Sequence, residues 1–169
     1  METLFILSDL WGSPRSEWTK EYISRLERKF QIEYLDCTEL AGLNLSSYTQ
    51  DALHKQFVNG GIEQGVLNLM ERITTETTIL AFSVGGTIAW QCALNSPYVK
   101  KLVCVSSTRL RKEEEKPASE TVLIFGEQDE FAPKKAWFEK MEVTPKVIPM
   151  MPHDMYKELE VAQLVAAML

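Results

Sequence analysis

Six short runs rich in apolar and β-branched residues recur along the chain. Each is followed by a stretch that reads as helix or loop, and this alternation constrains the fold more than any other feature. The runs cover residues 3–8, 31–36, 77–82, 101–106, 121–125 and 145–150. Between them, residues 14–30 carry Trp18, Tyr22, Ile23, Leu26 and Phe30 at helical spacing, and residues 62–73 carry Ile62, Val66, Leu69, Met70 and Ile73 in the same way. Residues 84–95 are dense in small and apolar side chains and read as a buried helix. Residues 133–141 and 155–168 supply two more helices, and residues 41–59 read as loop with a short helix from Ser47. Strands that alternate with helices join by right-handed crossovers into a parallel sheet covered on both faces. At 169 residues the expectation is one α/β domain over residues 1–169.

Composition narrows the functional classes. With 18 Lys and Arg against 24 Asp and Glu the formal charge is −6, and no basic stripe offers phosphate neutralisation, so neither nucleic acid nor an anionic membrane is an expected partner. No apolar run approaches the ~20 residues of a membrane span. The first residues carry Glu2 where a secretory signal needs basic residues, so a cytoplasmic location is expected. Cys37, Cys92 and Cys104 are odd in number, widely spaced and set among apolar residues, which fits reduced, buried thiols. The only histidines are His54 and His153, and no pair of residues has metal-ligand spacing, so no metal site is expected.

The third run leads into Ala81-Phe82-Ser83-Val84-Gly85-Gly86 and then a helix. A serine at the apex of a sharp strand-to-helix turn needs small residues two positions either side, which Ala81 and Gly85 provide. The helix N-terminus then lies under the hydroxyl, with the Val84 N–H free to meet a developing oxyanion. Alone, the same residues also suit a simple helix N-cap or a phosphate-cradling loop. The context adds two groups. Asp129 follows the fifth run and His153 the sixth, so both sit at carboxyl ends of strands, on the rim that holds Ser83. Glu127, Glu130 and Asp154 compete weakly with Asp129 for the acid role, and His54 reads as a surface residue. A serine hydroxyl is a weak nucleophile unless an imidazole takes its proton and a carboxylate orients that imidazole. The chain order serine, acid, histidine is that of one known arrangement of these groups.

On these residues the chain resembles the α/β-hydrolase superfamily, and its small lidless serine hydrolases in particular. Residues 81–86 are similar to the family's G-x-S-x-G-G elbow, with Ala81 in place of the first glycine. Gly126-Glu127-Gln128-Asp129-Glu130-Phe131-Ala132-Pro133 is similar to its G-x-x-D-x-x-x-P segment, and residues 10–18 to its oxyanion loop with a downstream tryptophan. Ser8-Asp9 stands where the family has His-Gly, which puts a carboxylate near the oxyanion position. The resemblance implies a three-layer sandwich with a six-stranded parallel sheet in order 2-1-3-4-5-6 and no inserted cap. It makes Ser83, Asp129 and His153 the catalytic residues, and the backbone N–H groups of Leu10 and Val84 the oxyanion hole. Trp11, Met151 and Met155, beside Leu10, are candidates to line a shallow acyl pocket, although methionines more often fill core gaps. The run from Arg109 to Lys116 reads as a solvated, charged loop.

The implied function is a carboxylesterase or thioesterase acting on a small ester or thioester through an acyl-enzyme, with no cofactor and no metal. An acyltransferase on the same residues is one alternative. The other is a catalytically silent interaction module, a reading that rests on Asp9.

Overall fold

The computed structural model describes residues 1–169. Six parallel strands form one sheet: β1 (Thr3–Leu7), β2 (Gln31–Leu35), β3 (Thr77–Phe82), β4 (Val99–Val105), β5 (Glu120–Gly126) and β6 (Lys146–Ile148), in the order β2-β1-β3-β4-β5-β6. The topology is the one expected. β3 is buried along its whole length, as its unbroken run of Thr, Ile, Leu, Ala and Phe demands of a central parallel strand.

Alternation along the strands sorts the core into two layers. Phe5, Leu7, Ile79, Ala81, Leu102, Cys104, Leu123 and Phe125 point to one face, where α2 (Cys37–Leu40), α4 (Ile62–Arg72), α5 (Val84–Asn95) and α6 (Lys135–Met141) cover them. Leu4, Ile6, Leu80, Phe82, Val103, Val105 and Ile124 point to the other, under α1 (Thr19–Leu26) and α7 (Leu159–Ala166). One further helix, α3 (Gln50–Gln56), lies between α2 and α4 in the chain.

Two helices are shorter than the apolar spacing predicts. Residues 14–30 divide into a 3-10 turn, Ser13–Arg15, and α1, because the side chain of Asp36 accepts from the Ser13 N–H at 2.7 Å and draws that end of the segment toward β2. Residues 155–168 divide at Glu158 into a 3-10 turn, Met155–Lys157, and α7. Residues 109–116, expected to be a solvated loop, begin inside a 3-10 turn, Thr108–Lys112, whose Leu110 is fully buried. No helix is long and apolar enough to cross a membrane.

Candidate active site

Ser83 sits between β3 and α5 with φ 50° and ψ −121°, a backbone conformation that L side chains avoid. Such strain costs on the order of 1–3 kcal/mol and persists only where the surroundings enforce it. Here they do. A Cβ on Gly85 would lie 2.4 Å from the Ser8 carbonyl oxygen, and one on Gly86 would lie 1.8 Å from the Ser107 Oγ. Glycine at both positions lets the elbow press against the loops leaving β1 and β4. The Ser83 side chain caps no helix N–H, so the N-cap alternative fails.

The structure brings Ser83, His153 and Asp129 together. The Ser83 Oγ lies 3.1 Å from His153 Nε2, and His153 Nδ1 lies 2.7 Å from Asp129 Oδ2. A carboxylate only accepts, so Nδ1 carries the proton and Nε2 is left to accept from the serine hydroxyl. The Asp129 side chain is 1% exposed and that of His153 is 42% exposed, so the acid is sealed while the imidazole faces the cleft. The loops carrying them are cross-bonded. Gln128 N–H donates to the Met151 carbonyl at 2.9 Å, and Met150 N–H donates to Glu127 Oε2 at 2.7 Å. Ser106, itself at φ 55°, donates its hydroxyl to the His153 carbonyl at 2.6 Å. Glu127 is thereby a loop clamp, and neither Glu130 nor Asp154 bonds to His153. Ser106 and Glu127 act through main-chain contacts, which sequence reasoning had no signal to find.

The loop after β1 passes on the other side of Ser83. The Leu10 N–H donates to no protein acceptor, and the Val84 N–H is the first of the unpaired donors of α5. Asp9 lines the same cleft, with both carboxylate oxygens engaged. It is 1% exposed, its Oδ1 accepts from the Trp11 N–H at 3.0 Å, and its Oδ2 accepts from the Tyr156 hydroxyl at 2.8 Å. Burial raises its pKa above the ordinary carboxylate value, and the bonds from Tyr156 and Trp11 offset only part of that. The Tyr48 hydroxyl donates to the Trp11 carbonyl, and Arg15 stacks 3.9 Å over the Trp11 ring.

A cleft of about 630 Å³ opens above Ser83 and His153. Leu10, Trp11 and Val84 line it, but Met151 and Met155, the other two pocket candidates, do not. Met155 is fully buried in the core between the sheet and α7, and Met151 packs against the same core, so both fill space there. His54 is exposed and stands at the mouth of the cleft, and Arg109 and Arg111 form part of its wall. No three His, Cys, Asp or Glu side chains converge as a metal site would require. The three cysteines are free and buried, and burial pushes the Cys92 thiol up to about 12.

This chain matches no family model and no curated protein sequence. Solved structures match it closely in shape. It is similar to a predicted CIB-like hydrolase from Thermoplasma acidophilum, with a TM-score of 0.73 at 15% identity, covering 99% of this chain and 85% of that one. It is also similar to an alpha-beta serine hydrolase homologue from Coxiella burnetii, with a TM-score of 0.68 at 20% identity over 99% and 85% of the two chains. A cold-adapted esterase from an Arctic intertidal metagenomic library matches with a TM-score of 0.66 at 11% identity over 99% and 82%. At these identities the likeness is one of fold, and the fold is that of the α/β-hydrolase superfamily.

Proposed function

We propose that the chain is a serine hydrolase that cleaves small esters or thioesters through an acyl-enzyme. The observation that carries this reading is the unbroken relay from Ser83 Oγ through His153 to Asp129, with contacts of 3.1 and 2.7 Å, at a strained elbow. Ser83 Oγ attacks the substrate carbonyl carbon while His153 Nε2 takes the hydroxyl proton. The carbonyl oxygen becomes an oxyanion, which the Leu10 and Val84 N–H groups bind. Asp129 holds the imidazole in the required tautomer and stabilises the imidazolium. As the oxyanion collapses, the bond to the leaving alcohol or thiol breaks and that group takes the proton from His153. A water molecule then attacks the acyl-enzyme, again giving a proton to His153. The acid departs and Ser83 recovers its proton.

The hydrogen bonds on Asp9 support this reading over a silent interaction module, because the Trp11 N–H and the Tyr156 hydroxyl fix its carboxylate in place and offset part of its charge. The similarity in fold to an esterase and a serine hydrolase homologue supports the ester class. We place the protein in the cytoplasm on the strength of its three free, buried thiols. Labelling with a fluorophosphonate probe tests the nucleophile. The expected result is one label per chain, lost in Ser83→Ala together with turnover of p-nitrophenyl acetate. A wild-type protein that neither labels nor turns over any ester overturns the reading.

A further inference from the structure

We propose that the ester taken by this site carries a negatively charged group, received by Arg109 and Arg111. The proposal rests on the serine hydrolase reading and names the substrate class within it. Both arginines lie on the 3-10 turn Thr108–Lys112, which follows β4, and both line the cleft with Ser83 and His153. β1 and β4 flank β3 in the sheet, so the loops that leave them stand on opposite sides of the nucleophile. One side presents Leu10 and Trp11. The other presents the two guanidinium groups, with Phe131 from the loop after β5.

The arginines are held on a rigid mount. Leu110, between them, is fully buried in the core and pins the turn. Arg111 Nη1 donates to the Thr108 carbonyl at 2.9 Å. Just beyond the turn, the Trp137 indole donates to the Glu113 carbonyl and the Trp90 indole donates to the Glu115 carbonyl, each at 2.9 Å. Preorganisation of this kind lowers the ordering cost of binding.

The cations on this wall lack counter-ions. No carboxylate lies within ion-pair distance of Arg109 or Arg111. Several acidic groups around them already have other partners. Glu113 accepts from the Gln91 amide at 2.7 Å, Asp129 is bonded to His153, Asp9 to Tyr156 and Trp11, and Asp154 faces Lys157 at 3.9 Å. Asp51, the remaining carboxylate of the cleft, belongs to α3. Arg109 is half-buried and makes no side-chain hydrogen bond to the protein. In a chain of net charge −6, two arginines without a carboxylate partner in the cleft of the nucleophile suit a carboxylate or phosphate, which planar guanidinium forks bind through paired hydrogen bonds. Phe131 is 65% exposed and offers an apolar surface for the part of the substrate next to that charge.

The test compares 4-nitrophenyl hydrogen succinate with its neutral methyl ester, reading the ratio of their kcat/KM values. The wild type is expected to favour the anionic ester about tenfold or more, as a charge-assisted pair permits. That preference should fall as salt rises. In the Arg109→Ala, Arg111→Ala double variant the ratio should drop about tenfold. Arg111→Glu, at an exposed position, reverses one charge without touching the core and should drop it as well. Inhibition by benzoate and by phenyl phosphate identifies the anion, the tighter of the two naming it. A wild-type ratio at or below one, or a ratio unchanged in both arginine variants, overturns the proposal. If Ser83 still labels with the fluorophosphonate in that case, only the anionic substrate falls. If the wild type neither labels nor cleaves either ester, the hydrolase reading falls and this inference falls with it.

Discussion

On one side of Ser83 the histidine loop is tied down by main-chain bonds, by Glu127 on the Met150 N–H and by the hydroxyl of Ser106 on the His153 carbonyl. On the other side the loop that carries Leu10 hangs on two buried carboxylates. Asp9 holds it at Trp11 and Asp36 holds it at Ser13. The two are shifted in opposite senses. Burial of Asp9 outweighs its bonds and raises its pKa. Burial of Asp36 also acts upward, but the N–H of Ser13 and the hydroxyl and N–H of Thr38 together outweigh it and hold the carboxyl below its ordinary value. The half that delivers the proton acceptor is therefore held mainly by main-chain groups and one hydroxyl, with Glu127 its one carboxylate clamp. The half that delivers the N–H donors rests on two buried carboxylates whose pKa values are shifted in opposite directions.

The largest expected effect tests whether the histidine half is chemical at all. Ser83→Ala or His153→Ala should each lower kcat/KM on p-nitrophenyl acetate by about 10⁴-fold or more, and the double variant should be little worse, because groups that act as a unit are not additive. Additive losses would show the two residues working separately and break the contrast between the halves. Next in size is the contact that joins the halves. Gly85→Ala drives a Cβ to 2.4 Å from the Ser8 carbonyl oxygen and must push the elbow away from the oxyanion loop. Overpacking of this kind costs about 1–3 kcal/mol, and a chain of this size loses roughly 2–4 °C of Tm per kcal/mol. Turnover should fall with the Tm. A variant with wild-type Tm and turnover would show that the loop yields freely.

A matched pair sharpens the contrast. Ser106→Ala removes one neutral hydrogen bond from the histidine half and should cost about 0.5–1.5 kcal/mol at any pH. Asp36→Ala removes the cap of α2 and the Ser13 clamp, and should cost about 1–2 kcal/mol at pH 7. Because the Asp36 pKa is lowered on folding, its stabilisation is complete above the ordinary carboxylate value of about 4 and is lost as the pH falls through the lowered value. Thermal melts between pH 2 and pH 7 should therefore show the Asp36→Ala deficit vanishing in acid and the Ser106→Ala deficit persisting. Parallel pH curves would sink the contrast.

The histidine half was legible in the sequence because its parts are residue types at strand ends. β3 and α5 run from Thr77 to Phe82 and from Val84 to Asn95, as the pattern of apolar residues indicates, and that alone fixes the junction at Ser83. The order serine, aspartate, histidine along a parallel sheet then carries all three side chains to one rim. The clamps of both halves were illegible because most of their partners are remote. The Tyr156 that holds Asp9 lies 147 positions away. Periodicity also says that a side chain is inside without saying which layer it joins, which is why Met155 remains a pocket candidate in the sequence even though the core is the commoner place for a methionine. The arginine wall hides for a related reason. A charged run looks solvated until Leu110 is seen to pin it.

The smallest expected effect concerns Asp9, the one residue whose presence argues against the family resemblance. Its folded pKa is raised, so the folded state is favoured most while the carboxyl is protonated, and that advantage is lost as the pH rises through the raised value. Once ionised, Asp9 is thus a local burden on the very loop it positions. Asp9→Asn keeps an oxygen to accept from the Trp11 N–H and gains an amide to donate to the Tyr156 hydroxyl oxygen, without a charge to bury. The Tm of this variant relative to the parent should climb as the pH rises above the ordinary carboxylate value of about 4, opposite in sign to the Asp36→Ala series. A Tm difference that stays flat or falls over that range would mean that Asp9 is solvated when ionised, and that both carboxylates hold the loop in the same way.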